Sequence, residues 1–163
     1  MAISKKGTLR SHVEGIHSAI NRLLADINEQ ESMVTLGNNP NHIKWLTGHL
    51  VFTAQLAGMT LGGEMKLPDG WMQLFRRGSE SPDKQPSFPP MSEVVATLKV
   101  SQAALLALID AASDEKLDTT CQIAPGWEDS PINAILFLMA HDFYHAGQIA
   151  MIRHDLGRER SFG

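Results

Sequence analysis

The chain has 163 residues, 43% of them apolar and 20% charged, with a formal net charge of -4, which suits one domain over residues 1–163 around a single core. The acidic balance and the scattered basic pairs, Lys5–Lys6 and Arg76–Arg77, argue against a nucleic-acid partner. The N-terminus lacks the apolar run of a signal peptide, no stretch reaches the 18 or so uninterrupted apolar residues of a membrane span, and the lone Cys121 has no disulfide partner, so a cytoplasmic protein with no membrane partner is expected.

Val13, Ile16, Ile20, Leu23, Leu24 and Ile27 recur at helical spacing and predict a first helix over roughly residues 9–31. Asn39 as N-cap and Pro40 as first residue open a second helix, whose stripe of Trp45, Leu46, Phe52, Leu56 and Met59 ends at the Gly62–Gly63 pair. Residues 63–90 are rich in proline and glycine, with "WMQLFRR" able to make two helical turns in the middle. So long a connection is usually functional or partly structured, and it is a candidate lid or dimer cover. A third helix starts near Ser92 and carries Val95, Leu98, Leu105, Leu106 and Ile109. The last, the most apolar, has Ser130 as N-cap, Pro131 as first residue and Gly157 as stop. No segment alternates with period two, so the expected class is all-α, a four-helix bundle.

Two histidines in "HDFYHAGQ" are out of keeping with that apolar last helix. Leu138, His141, His145, Gln148 and Ile152 lie three and four apart and so share one face. Side chains four apart stand about 5–6 Å from each other at Cβ, which lets both imidazoles reach one ion at the roughly 2.0–2.1 Å of zinc-type bonds. On the second helix His49 falls on the stripe of Trp45, Phe52 and Leu56 and is the natural third ligand. His42, about 10.5 Å away along the axis, is left to a supporting or surface role. His17 reads as an interfacial histidine, and His12 and His154 as surface. A single inward histidine is more often a hydrogen-bonded core residue, but three neutral imidazoles in one apolar bundle call for something to accept their lone pairs.

Two other metal patterns fail. "HDFYH" has Asp142 where the H-E-x-x-H of zinc peptidases needs its glutamate base. Di-iron bundles need two Glu-x-x-His pairs, and only Glu14 with His17 is present.

"NHIKWLTGHLV", "WMQLFRRGSESP", "FPPMSEVVATL" and "HDFYHAGQIAMIRHDLG" together resemble the DinB-like (DinB/YfiT) metalloenzyme family over most of the chain. The resemblance implies an up-and-down four-helix bundle with a long connection between helices 2 and 3. It also implies a nickel or zinc ion on His49, His141 and His145, and a homodimer. Asp142 and Tyr144 depart from the commonest family residues, glutamate and histidine.

A divalent ion on three neutral histidines keeps an open position for water or thiol. Thiol-dependent transferases and isomerases occur in the family, so the expectation is an enzyme activating a low-molecular-weight thiol or water against a small-molecule substrate, transferase-like or hydrolase-like. The alternatives are a metal-binding protein without catalysis and a helical dimerisation module. Trp45, Phe52 and Tyr144 are candidate pocket walls, though such aromatics are more often plain core. Gln148 is a candidate to orient a histidine or to pack, and Asp142 to reach a histidine on a neighbouring helix. Gly48 and Gly147 beside the ligands suggest close helix approach before room for a ligand.

Overall fold

The structure, a computed structural model, describes residues 4–79 and 87–159. In chain order it holds α1 (Lys5–Leu24), α2 (Ile43–Thr60), α3 (Trp71–Phe75), α4 (Met91–Ala111), α5 (Asp114–Asp118), β1 (Cys121–Ala124), β2 (Trp127–Asp129) and α6 (Pro131–Asp155). The four long helices α1, α2, α4 and α6 make the expected bundle. Their inward faces supply a core that includes Val13, Ile20, Leu46, Leu50, Leu98, Ile109, Ile135 and Ile149.

Each long helix packs on two others: α2 on α4 and α6, and α1 on the same pair. The polar links fix the directions. Glu29, just past α1, takes the Lys44 ammonium at the start of α2 and, at 2.7 Å, the Met91 N–H at the start of α4. Arg153, at the end of α6, donates to Leu23 O at the end of α1. The end of α1, the starts of α2 and α4 and the end of α6 therefore share one end of the bundle, so the helices run up, down, down, up. The connection after α2 must return the length of that helix, about 27 Å at 1.5 Å per residue. Its length has a topological cause.

Several local details differ from the sequence reading. The first helix stops at Leu24 rather than running on toward residue 31, because Asn28 and Glu31 bond each other's backbone N–H groups at 3.0 and 3.1 Å. This capping box starts a new turn, Glu31–Met33, and takes the backbone out of the helix. The second helix begins at Ile43 with His42 as its cap, Nδ1 accepting from Trp45 N–H at 3.0 Å. Asn39 caps Asn41 N–H in a turn instead. The "WMQLF" segment forms only the short α3. A two-stranded hairpin, absent from the sequence expectation, pairs Ala124 with Trp127 across Pro125 and Gly126. The φ of +79° at Gly126 suits the second central position of a type II turn. Ser130 caps α6 with Pro131 inside, and Gly157, at φ +74°, follows its last turn, as expected.

Among the described residues, α4 is the one helix long and apolar enough to cross a membrane by length and composition. Val94, Leu98, Leu105 and Ile109 face the core, while Val100 is 70% exposed.

Candidate metal centre

The antiparallel contact of α2 with α6 brings His49, His141 and His145 together. One ring nitrogen from each lies within 4.8 Å of the others. Nε2 of His141 and Nε2 of His145 are 3.1 Å apart, and the His49 ring meets the other two edge-on at 5.2 and 5.1 Å between centroids. His49 and His145 are buried, and His141 keeps 30% of its side chain exposed.

The opposite nitrogen of each ring is already engaged. His49 Nδ1 meets the carbonyl of Phe75 at 2.6 Å, and His145 Nδ1 meets Oε1 of Gln148 at 2.7 Å. Carbonyl oxygens cannot donate, so both Nδ1 atoms carry the hydrogen and both Nε2 atoms present lone pairs. His141 Nδ1 faces Asp142 Oδ1 at the longer distance of 3.3 Å. A hydrogen on His141 Nε2 could satisfy the lone pair of His145 alone. A cation of zinc size satisfies all three, and the 3.1 Å spacing is close to the roughly 3.3 Å between two tetrahedral ligands at zinc–nitrogen distances. The donor set fits a divalent metal.

The electrostatics agree. Burial lowers the His49 pKa to about 4, against the hydrogen bond to Phe75 O, and burial likewise pushes His145 down. Both rings are neutral at pH 7, the state in which imidazole ligates. Burial drives the Asp142 carboxyl up, opposed by its bonds with His141 and Thr53.

The remaining candidates all touch the cluster. Trp45 stacks on His49 at 5.0 Å and donates its Nε1–H to Leu74 O at 2.9 Å. Phe52 lies nearly parallel to His49 at 6.2 Å, and Tyr144 meets His145 edge-on at 5.1 Å. Gln148 orients His145. Asp142 is 2% exposed and bonds His141 on its own helix rather than a histidine on a neighbour. Its partner across the interface is Thr53, whose hydroxyl donates to it at 2.7 Å. Thr53 sits four residues after His49, so the stripe that chose His49 also contained it.

Part of the long connection serves as a brace. Through Phe75 O and Leu74 O, α3 and its end hold His49 and Trp45 from behind. A backbone carbonyl carries no sequence signal, so this support is not legible in the sequence. Residues 80–86, which belong to the candidate lid, lie outside the described residues. Gly48 permits the brace: a Cβ there would stand 2.4 Å from two Phe75 ring carbons. At Gly147 an added Cβ would meet nothing within 4 Å, so this glycine owes nothing to close packing. His42 and His17 are buried away from the cluster, His42 as a cap and His17 with no partner for either ring nitrogen. His12 and His154 are exposed.

The model of the DinB superfamily matches residues 13–149. Among curated proteins none matches the sequence. Solved structures that share the fold include the following two. YfiT from Bacillus subtilis, reported as a probable metal-dependent hydrolase with an unusual four-helix bundle topology, has 12% identity and a TM-score of 0.70, over 97% of this chain and 92% of its own. A conserved protein from Enterococcus faecalis has 15% identity and a TM-score of 0.73, over 96% of this chain and all of its own. The match over most of the sequence and the shared bundle lead to one conclusion: the chain belongs to the DinB superfamily.

Proposed function

We propose that the protein binds a divalent metal ion, nickel or zinc, through Nε2 of His49, His141 and His145, and that it is an enzyme acting on a small molecule. The observation that carries this reading is the pairing of converging imidazoles with acceptors behind their Nδ1 atoms, the arrangement that aims and strengthens metal-ligating histidines. When bound, such an ion supplies a Lewis acid able to lower the pKa of water or of a thiol. The chain's own part is to keep the His49 and His145 rings neutral, fix their hydrogens on Nδ1 and wall the mouth with Phe52 and Tyr144. The description of YfiT as a metal-dependent hydrolase supports water as the nucleophile. A low-molecular-weight thiol is the second candidate, and a homodimer the working assembly.

Metal content of tag-free protein, measured for the wild type, His49→Ala and His145→Ala, tests the reading. The expected result is near-stoichiometric nickel or zinc in the wild type and loss in both variants. A wild type that takes up neither metal on reconstitution refutes it. Loaded protein, with and without chelator, then separates hydrolysis of activated esters and amides from thiol transfer.

A further inference from the structure

Gln148 stands between His145 and Tyr144. Its Oε1 accepts from His145 Nδ1 at 2.7 Å, and its Nε2 donates to the Tyr144 hydroxyl oxygen at 3.2 Å. With the Nε2 lone pair of His145 given to the metal, Nδ1 carries the hydrogen, which turns the amide oxygen to His145 and the amide nitrogen to the phenol oxygen. With its oxygen accepting, the phenol must aim its own hydrogen elsewhere, and no described residue receives it. Edge-on contact with His145 keeps the ring beside the cluster, although it is 62% exposed. Phe52 flanks His49 on α2. Two aromatic rings thus flank the histidine cluster, one of them a phenol with a hydrogen to donate.

We propose that Tyr144 is a ligand-binding residue. It donates a hydrogen bond to an oxygen acceptor, a carboxylate or carbonyl, on a small aromatic or apolar molecule held at the metal centre, and Gln148 keeps it in place. The inference rests on the metal reading above and names the substrate class for that site. A simple thiol bound through sulfur offers the phenol no second acceptor, so Tyr144 discriminates in favour of oxygen-bearing molecules. The aromatic borders suit a flat apolar body behind that oxygen.

The test uses cobalt(II)-loaded protein, whose visible spectrum reports what binds at the metal, titrated with two probes of matched shape, benzoate and benzenethiol. Tyr144→Phe keeps the ring and removes the hydrogen. It is expected to weaken benzoate about tenfold, the usual scale for a lost hydrogen bond to a charged acceptor, and to leave benzenethiol within about twofold. Gln148→Glu gives His145 an acceptor but also gives the phenol a carboxylate to donate to. It should weaken benzoate while cobalt affinity holds, a result that loss of an aromatic wall would not produce. Benzoate binding to Tyr144→Phe within about twofold of the wild type, equal weakening of both probes, or no response of the cobalt-loaded wild type to benzoate overturns the assignment of Tyr144 alone. Failure of the wild type to take up cobalt overturns the metal reading, and this inference with it.

Discussion

Gly48 and Gly147 each lie beside a candidate ligand on a long helix, yet alanine at the two positions should act in opposite directions. At Gly48 the added Cβ would stand 2.4 Å from Phe75 Cδ1 and Cε1 and 2.6 Å from Cγ, about 1 Å inside ordinary van der Waals contact. The Phe75 ring is 1% exposed and wedged between Trp71 and Phe88, at 5.2 and 5.8 Å, so α3 must move away. Overpacking of this kind costs about 3 kcal/mol at the upper end of its range. Alanine regains about 1 kcal/mol of helix propensity, leaving a net loss of roughly 2 kcal/mol. The same shift, about 1 Å, takes Phe75 O from 2.6 Å beyond hydrogen-bond reach of His49 Nδ1. Loss of such a support lowers metal affinity about 10- to 100-fold. At Gly147 nothing lies within 4 Å, and alanine should add about 1 kcal/mol. Urea unfolding with chelator present measures stability, and competition with a chromophoric chelator measures metal affinity. Gly48→Ala as stable as Gly147→Ala, or destabilised with wild-type metal affinity, would refute the brace.

His17 gives a pH signature on the opposite edge of the bundle, where α1 meets α4. Burial holds its folded pKa at about 4 against an ordinary 6.5. Between pH 6.5 and 4 the unfolded chain takes up a proton that the folded one refuses, so the stability present above pH 6.5 is lost as pH falls, by about 2 kcal/mol at pH 5. His17→Leu removes this loss, so its urea midpoint should exceed that of the wild type by more at pH 5.0 than at pH 7.5; a pH-independent difference would contradict the assignment. Thr53→Val removes the hydroxyl that donates to buried Asp142 at 2.7 Å and should cost about 2 kcal/mol. A midpoint equal to the wild type would show that the carboxyl finds another donor.

The four long helices were legible because each carries an apolar stripe too long to be anything else, and α6 was bounded on both sides by its cap residues and glycine. The ends that differed were decided by side chains competing for backbone groups. The Asn28–Glu31 box is written in the sequence as N-x-x-E but lies under a continuing apolar period, and His42 is an unusual cap beside a more conventional Asn39. The hairpin escaped because β1 and β2 are only four and three residues long, too short for an alternation to register, although Pro125–Gly126 marked the turn. The three histidines were found by helical spacing, which needs only local geometry. Their partners were harder: Thr53 shared the stripe of His49, whereas the carbonyl of Phe75 depends on where the long connection docks.

That docking follows from the topology. Because α2 and α4 run the same way, the chain between them must travel back along the bundle, and α2 is the helix it has just left. Trp71 and Phe75 are the buried ones among the large apolar side chains of the first part of that return. Gly48 is where α2 lets the Phe75 ring approach, one residue from His49. The carbonyl at the end of α3 consequently arrives at the outer nitrogen of the one ligand candidate that α6 does not supply. His141 and His145 draw their partners from their own helix, through Asp142 and Gln148. His49 has to draw its partner from the crossover. A shortened connection joining α2 to α4 without α3 would therefore take the orienting acceptor from His49 and, with it, the buried Trp71 and Phe75 from the core, so the crossover serves the fold and the histidine cluster together.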